Sequence, residues 1–323
     1  MSGLVVPDRE QVRAVLNDSY ALWGAGLSLP DYHAMWAELA DSPWGRAWYG
    51  WRAWIDDEGR VASSLKLYRP LLRLNDRTER ACVIGAVFTS REHRRLGHAA
   101  ALIRAVLEEA RERGDGAGLL FTDIGTAYYG RLGFGALPCE DALGSLVGAT
   151  ARAPDDLTLR AMTHEDLDDV RSAHDAASRH RRIAIVRDRD HWEFLLLRAS
   201  TFFRRLDGTD LARRFMVVED ASGPIGFLVA VAGPGEWNLR EAAAYDGSDR
   251  MLARVLAAGA AQAGAEGATT VWGWIPRAVW PLVPAWRLRA QPRRRAVPMI
   301  RPPLPTPPVL SPDDDFIPYL DQF

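Results

Sequence analysis

The sequence is poor in the residues that build covalent or metal-bound frameworks. Its 323 residues include only two cysteines, Cys82 and Cys139. Two thiols are too few for a disulfide framework or for an all-cysteine metal site. The seven histidines show no paired spacing with cysteines or carboxylates of the kind that holds a metal ion. We therefore expect a protein of a reducing compartment that uses no metal.

Long apolar runs and a strong net charge are also lacking. No stretch approaches the length of a membrane-spanning helix, and the N-terminal residues have no basic segment followed by an apolar one. The formal net charge is only −2, which gives no reason to expect nucleic acid or a membrane surface as partner. Lys66 is the single lysine, and we attribute this bias to the coding genome. We expect a cytoplasmic protein, and the sequence carries no sign of its oligomeric state.

What is present is enough chain for two hydrophobic cores, since single cores usually stop growing at about 250 to 300 residues. A segment rich in small and charged residues, 148–156, predicts a linker. A proline-rich segment near the end predicts an extended tail. The predicted domains are therefore 1–147 and 157–301, followed by a tail at 302–323.

Hydrophobic periodicity gives both halves the same order of elements. The first half is predicted to contain a helix from Arg9 to Leu22, a buried strand at 81–89, a helix ending near Gly114 and a strand at 118–124. In the second half, Thr163 and Asp166 resemble a helix-starting pair. Two strands, a helix and a further strand then follow, at 215–220, 224–233, 251–264 and 269–275.

The turn after the strand at 81–89 has an anion-binding pattern. Arg94 and Arg95 stand in the loop, and Gly97 precedes the helix. The first N–H groups of a helix lack internal partners and the helix dipole is positive there, so a pyrophosphate can bind at this turn. Glycine allows a ligand to approach the main chain closely.

The spacing Arg94-x-x-Gly97-x-Ala99 after a strand resembles the Arg/Gln-x-x-Gly-x-Gly/Ala turn of the GNAT superfamily of N-acetyltransferases. The later segment TDIGTAYYGRLGFG is similar to the Tyr-x-x-x-Gly-Phe ending of that superfamily, with Tyr129 in its tyrosine position. Residues 81–138 resemble the fungal lysine N6-acetyltransferases, and the tandem layout resembles the Eis-type acetyltransferases.

The resemblance implies a fold and a reaction. The fold is α/β (α+β): tandem GNAT-like domains, each a mixed, mostly antiparallel central sheet flanked by helices, with an extended C-terminal tail. The reaction transfers acetyl from acetyl-CoA, the co-substrate, to a primary amine by direct attack in a ternary complex. A small-molecule amine such as free lysine is the first expectation for the partner.

The resemblance also implies the cofactor contacts and the general acid. Tyr129 would protonate the departing thiolate, with Tyr128 as the alternative; the competing interpretation of Tyr129 is a packed core aromatic. A main-chain N–H of Phe88 or Thr89 would polarise the thioester carbonyl. The residues expected along acetyl-CoA are Val87, Phe88, Thr89, Arg94, Arg95, Leu96, Gly97, His98, Ala99, Ala100 and Tyr128.

The general base is the least determined residue. Asp123 follows the strand at 118–124, where it can deprotonate an amine or cap a turn. Asp31, His33 and Glu38 are weaker candidates, which a solvated helix face explains equally well. Because Eis-type enzymes use their own C-terminal carboxylate as base, Phe323 is a further candidate. A terminal residue docked only for stability is the alternative.

The second half lacks the Arg-x-x-Gly turn. Asp246 and Asp249 stand near the start of its helix and would repel a pyrophosphate, so we expect no second cofactor site. The tryptophans of the first half are expected to be mostly core, with one or two at the substrate.

Three other functions stay open from the sequence. They are acetylation of an aminoglycoside, acetylation of a protein amine, and a non-catalytic acyl-CoA sensor. A dinucleotide-binding module is disfavoured, because no Gly-x-Gly-x-x-Gly turn follows the strand at 81–89.

Overall fold

The fold is described from a computed structural model for residues 2–146, 156–204, 212–293, 295–301, 315, 316 and 318. The described helices are α1 (Arg9–Trp23), α2 (Leu29–Asp41), α3 (Pro43–Trp48), α4 (His98–Glu112), α5 (Ala127–Gly130), α6 (Leu167–Ser178), α7 (Arg189–Arg204) and α8 (Asp249–Ala265). The first nine strands are β1 (Gly3–Val5), β2 (Tyr49–Ile55), β3 (Val61–Tyr68), β4 (Leu71–Leu74), β5 (Arg77–Arg80), β6 (Cys82–Thr89), β7 (Gly118–Thr122), β8 (Gly135–Ala136) and β9 (Glu140–Ser145). The remaining strands are β10 (Thr158–Ala161), β11 (Ile183–Val186), β12 (Ala212–Asp220), β13 (Gly223–Gly233), β14 (Glu236–Ala244), β15 (Thr270–Gly273), β16 (Arg289–Pro292), β17 (Val297–Arg301) and β18 (Asp315–Phe316).

Local sequence signals explain where several helices begin. Asp8 and Gln11 form a capping box at the start of α1, and Ser28 caps α2. The predicted pair Thr163 and Asp166 forms a capping box ahead of α6. These side chains bond main-chain N–H groups that the helix itself leaves without partners.

The first sheet has the order β1-β2-β3-β6-β7-β17-β8. Its neighbours are antiparallel except for β6 and β7, which are parallel because α4 crosses between them. The side chains of Leu65, Ile84 and Leu120 pack with Ile103 and Val106 of α4. Helix α4 therefore covers one face of this sheet.

The second sheet repeats this plan with the order β10-β12-β13-β14-β15-β9-β16. It is antiparallel except for β14 and β15, which are parallel and connected through α8. The prediction of mixed, mostly antiparallel sheets flanked by helices is confirmed, and two sheets of this kind fit the tandem layout.

Each of the two large sheets contains a strand from the other half of the chain. Strand β9 pairs with β15 and β16 in the second sheet, although it precedes residue 148. Strand β17 pairs with β7 and β8 in the first sheet, although it follows the whole second half. The two halves are thus interlocked by strand exchange, while the domain boundaries at 147 and 157 stay a prediction.

A small third sheet, β18-β11-β4-β5, also joins the halves. It pairs the β4–β5 hairpin with β11 of the second half and with the short strand β18. One of the two large core clusters spans the same junction, where the ring of Trp44 stacks on His191 at 4.4 Å between centroids. Apart from residues 315, 316 and 318, the predicted tail lies outside the described residues.

No helix in the described part of the chain has the length and apolar character needed to cross a membrane.

Candidate active site

Strands β6 and β7 separate at the predicted cofactor site. They pair only at their first residues, from Cys82–Gly118 to Ile84–Leu120, after which both strands continue without pairing to each other. The ends of the two strands therefore leave a gap between them within the sheet. An extended ligand arm can lie in such a gap and bond the unpaired main chain.

A β-bulge lies on β6 beside this gap. The register between β3 and β6 passes from Lys66–Gly85 to Ser64–Phe88, so Ala86 and Val87 together face one residue of β3. Ala86 has φ +45°, a conformation that alanine rarely adopts. A bulge leaves one residue outside the ladder, and its main-chain N–H group is therefore available to a ligand.

The N-terminus of α4 is open toward solvent. Its N-cap is Gly97, which has φ +85° and gives no side-chain cap. The first helical hydrogen bond runs from Ala101 N to Gly97 O, so the N–H groups of residues 98–100 precede it. A Cβ at Gly97 would meet no protein atom within 4 Å, so the need for glycine comes from its φ angle and not from packing. This is the anion-binding geometry that the sequence predicts.

Buried contacts hold the loop before α4 in place. The His93 ring is 7% exposed, and its two nitrogens lie 2.6 Å from Ser90 Oγ and 3.0 Å from Asp56 Oδ2. Arg94 donates from Nε to the carbonyl of Thr89. The ring of His98 lies 5.7 Å from that of His93. Sequence reasoning missed His93, because its partner Asp56 lies 37 residues away.

Tyr129 lies in the short helix α5, beside the end of β7. It is 8% exposed and makes edge contacts with Tyr128 at 5.0 Å and with Phe134 at 6.4 Å. Burial, and then the neighbouring Tyr128, raises the pKa of Tyr129 to about 12. A phenol with this pKa keeps its proton at neutral pH and can donate a hydrogen bond to a departing thiolate, although full proton transfer to a thiolate of ordinary pKa, about 8.5, is uphill until the product leaves. Gly133 follows with φ +89°, which explains the glycine of the motif.

Asp123 has a structural partner. Its Oδ1 accepts a hydrogen bond of 2.7 Å from the main-chain N–H of Ala296, at the entry to β17. The turn after β7 is closed instead by Thr122, whose hydroxyl donates to Gly125 O and accepts from Ile124 N. Asp123 therefore helps to attach β17 to the first sheet. Its predicted role as base depends on the other carboxylate oxygen, Oδ2.

The weaker base candidates lie on α2, away from β6 in sequence. Asp31 accepts from Ser28 at the start of the helix, and His33 bonds Asn17 of α1 at 2.9 Å. Glu38 is half-buried on the same helix. Their predicted roles stay untested, as does that of Phe323, which lies outside the described residues.

The aromatic residues over the opposite face of the first sheet surround Lys66, a residue to which the sequence analysis gave no role. Its Nζ lies 2.8 Å from the centroid of Trp36 and 5.0 Å from that of Trp51. We call this region, made by Tyr32, Trp36, Tyr49, Trp51 and Tyr68 around Lys66, the aromatic chamber. Beside this chamber, the ring of Trp23 lies 6.1 Å from that of Phe88, the residue that follows the bulge.

The corresponding helix of the second half begins differently. Ser248 caps α8 through its hydroxyl, which accepts from Met251 N at 3.1 Å. Asp246 accepts from the main-chain N–H and hydroxyl of Ser248. The start of α8 thus carries its own oxygens where α4 is open, and the single cofactor site stays a prediction.

Comparisons with known proteins agree with this geometry. The Acetyltransferase (GNAT) domain family matches residues 11–137. A lysine acetyltransferase of Yarrowia lipolytica is 33% identical over 110 residues, which are 32% of this chain and 28% of that protein. The chain therefore spans less than a third of the length of this curated relative.

Solved structures show the same fold over nearly the whole chain. A GCN5-related N-acetyltransferase from Anabaena variabilis has a TM-score of 0.69 at 15% identity and covers 93% of this chain and 72% of its own. Eis1 from Mycobacterium abscessus has a TM-score of 0.58 at 13% identity, over 94% of this chain and 73% of its own. The resemblance to the Eis-type layout is confirmed at the level of fold. Residues 11–137 match the acetyltransferase (GNAT) domain family, and the fold of the chain resembles that of GNAT acetyltransferases.

Proposed function

We propose that the protein transfers an acetyl group from acetyl-CoA to a primary amine. The observation that carries this proposal is the open N-terminus of α4 beside the bulged, separated ends of β6 and β7. The family match at residues 11–137 supports the same reaction.

The chain offers a group for each part of acetyl-CoA. The pyrophosphate would bind the N–H groups at the start of α4, with Arg94 and Arg95 exposed beside it. The pantetheine arm would run along Val87 to Thr89. The ladder pairs Phe88 and Thr89 with β3, so we assign the carbonyl-polarising N–H to the bulge at 86–87 rather than to those two residues.

Transfer would proceed by direct attack. The amine nitrogen attacks the thioester carbonyl carbon, the carbon–sulfur bond breaks, and Tyr129 protonates the departing sulfur. Asp123 Oδ2, or water, would take the proton that the amine loses. These steps use no metal ion.

A small-molecule amine is the proposed acceptor, with free lysine first. The name of the Yarrowia relative, a lysine acetyltransferase, supports lysine, although only part of that protein is matched. The sequence has only two cysteines, too few for a disulfide framework, which suits a reducing compartment, and we propose the cytoplasm as the location.

One surface feature favours a second acceptor class. An open groove of about 570 Å³ lies between α3 and α7 and includes Asp190 and Glu193 among its lining residues. Glu193 already pairs with Arg189 and His164, so the attraction of this groove for a larger cationic amine, such as an aminoglycoside or a protein lysine, rests on Asp190. An acyl-CoA sensor without catalysis is less favoured, because Tyr129 is retained.

A thiol-release assay on the whole chain tests the proposal. Acetyl-CoA would be offered with lysine, polyamines, aminoglycosides and peptides, and acetyl-CoA binding would be measured separately by calorimetry. Turnover with at least one amine supports the proposal and identifies the acceptor class. Binding of acetyl-CoA without turnover on any amine would favour the sensor instead.

A further inference from the structure

Lys66 is a buried amine with no anionic partner in the described part of the chain. It lies on β3, is 2% exposed, and contacts the rings of Trp36 and Trp51. Within the described residues, no carboxylate forms an ion pair with it. Burying an ammonium group without a counterion costs several kcal/mol. The fold therefore keeps Lys66 in this place at the expense of stability.

Other polar atoms of the aromatic chamber also lack partners. Ser64 Oγ is enclosed without a hydrogen bond, and Tyr32 Oη, Trp36 Nε1 and Tyr49 Oη make none of ordinary geometry. Weaker contacts of Tyr32 with Ser19 and Trp36, and of Tyr49 with Trp51, offset part of the rise in pKa that burial causes. Trp36 connects them, since its ring lies 6.3 Å from Tyr32 and 6.1 Å from Tyr49. Ser64 stands two residues before Lys66 on β3 and so shares its face.

These groups need an acceptor. An indole N–H and an ammonium group donate hydrogen bonds and cannot accept them, while phenol and serine hydroxyls can donate. An enclosed donor left without a partner destabilises the folded chain. A carboxylate brings two oxygens with about four acceptor positions and no donor. It therefore satisfies several of these groups at once.

The charge around the chamber also favours an anion. Burial, and then the positive charge of Arg198, lowers the pKa of Lys66 well below its ordinary value. Arg198 also acts on Tyr49 and Tyr68, so its field reaches across the chamber from α7. An entering carboxylate would favour the protonated form of Lys66 and complete an ion pair.

The chamber adjoins the proposed site of acetyl transfer. Lys66 pairs with Gly85 on β6, and the bulge at 86–87 follows immediately. Phe88, beyond the bulge, contacts Trp23 on the side of α1. Leu65 and Leu67 of β3 pack on the opposite side with α4. A molecule bound to Lys66 would thus lie on the face away from α4, within a few residues of the bulge.

We propose that Lys66 binds the carboxylate of the acceptor, so that the preferred acceptors are amines that also carry a carboxylate. This inference rests on the proposed function and adds a specificity-determining residue to it. Amines without a carboxylate, such as polyamines and aminoglycosides, leave the ammonium group and the chamber donors without partners. They are therefore poor acceptors.

The test compares three acceptors that differ only at the carboxylate. Lysine carries the charge, lysine amide keeps the shape without it, and cadaverine lacks the group altogether. For wild type we expect kcat/KM with lysine to exceed that with either analogue by about 100-fold or more, since a buried charge left unpaired costs about 3 kcal/mol or more. Equal values for all three acceptors would overturn the inference.

The variant Lys66→Met removes the charge and leaves a side chain that packs well among aromatic rings. We expect kcat/KM for lysine to fall about 100-fold, mainly through KM, and cadaverine to change by less than about threefold. Arg111→Met, which removes an exposed cation of α4, is the matched control and should change neither. An equal loss for lysine and cadaverine would make Lys66 a general catalytic or structural residue and would overturn the assignment.

A binding measurement separates this inference from the proposed function. Trp36 and Trp51 flank Lys66, so tryptophan fluorescence should change when lysine binds to wild type and not when cadaverine is added. The change should be absent in Lys66→Met. Lysine binding without any turnover would contradict the proposed function and leave the carboxylate site in place. A lack of lysine binding to wild type would overturn the site itself.

Discussion

At the residue scale, burial sets the protonation of the two side chains on which the mechanism and its specificity depend. Tyr129 has its pKa raised to about 12, mainly by burial, and so stays protonated. Lys66 has its pKa lowered, again mainly by burial. The motif identified Tyr129, but no local pattern indicates a role for Lys66, because its neighbours come from α2, β2 and β3. In the sequence, a single lysine among many arginines indicates only a compositional bias. Its burial, which the structure shows, is what suggests a role.

The first prediction concerns Tyr129 as general acid. Tyr129→Phe should lower kcat by about 10²- to 10⁴-fold and leave the Kd for acetyl-CoA unchanged, because the phenol acts only on the departing sulfur. Tyr128→Phe, in the half-buried neighbour, is the matched control. Similar losses in both variants would contradict the assignment.

The same residue predicts a pH profile. A general acid must be protonated, and activity is lost only as the pH rises through its pKa. Because the pKa of Tyr129 is about 12, wild-type kcat should not fall between about pH 8 and about pH 10. A decline over this range would show that a more acidic group donates the proton.

The second prediction concerns the stability cost of Lys66. Because its pKa is lower in the folded than in the unfolded chain, the unfolded chain binds more protons below pH 10.5. The free energy of unfolding of wild type relative to Lys66→Met should therefore rise with pH in the alkaline range, by up to about 1.4 kcal/mol per pH unit. Urea unfolding of both proteins at several alkaline pH values measures this difference in the free energy of unfolding. A difference that does not depend on pH would mean that Lys66 keeps its charge when folded.

At the element scale, the parts of the site that depend on local sequence were predictable. The strand at 81–89, the glycine before α4 and the tyrosine of α5 follow from periodicity and motif, and the structure places elements there. The bulge at 86–87 was not predicted, because it depends on the register between β6 and β3. Strand β7 ends at Thr122 rather than at residue 124, because the threonine hydroxyl closes the following turn.

The third prediction tests the open end of α4. Ala99→Asp places a negative charge in the first turn, where it favours the helix dipole but repels a pyrophosphate. We expect the Kd for acetyl-CoA to rise by about 30-fold or more, given the size of close charge repulsion, while the melting temperature stays equal or rises.

Ser248→Ala is the counterpart at α8. Loss of this cap should cost about 1 kcal/mol of stability and leave the Kd for acetyl-CoA unchanged. A weaker Kd after the α8 substitution, or an unchanged Kd after Ala99→Asp, would place the pyrophosphate elsewhere.

At the scale of the whole molecule, strand exchange joins the two halves. Strands β9 and β17 each complete a sheet built mainly by the other half. The sequence could not show this, because local periodicity predicts a strand but not its distant neighbour. The bond from Ala296 to Asp123 illustrates the same limit, since its partners are 173 residues apart.

The fourth prediction follows from this exchange. Because neither sheet is complete without the other half, unfolding should be one cooperative transition. Leu239→Ala, in the core of the second sheet, should lower the stability of the whole chain by about 2–5 kcal/mol. Tryptophan fluorescence and circular dichroism should shift together in urea. Two separate transitions, with only one displaced, would contradict the interlocked arrangement.

The fifth prediction concerns the C-terminal end. If the carboxylate of Phe323 is the base, removal of residues 321–323 should lower kcat and leave the Kd for acetyl-CoA intact. Unchanged turnover would discard this role and leave Asp123 as the proposed base, for which Asp123→Asn supplies the parallel test.

The central claim is acetyl transfer to an amine at the gap between β6 and β7, and isotope transfer tests it most directly. Acetyl-CoA labelled in the acetyl group would be incubated with the whole chain and lysine, and the label followed by chromatography. The account predicts label in an acetylated amine, at a rate that falls in both Tyr129→Phe and Ala99→Asp. Label that stays on coenzyme A, or appears only as free acetate, would contradict it.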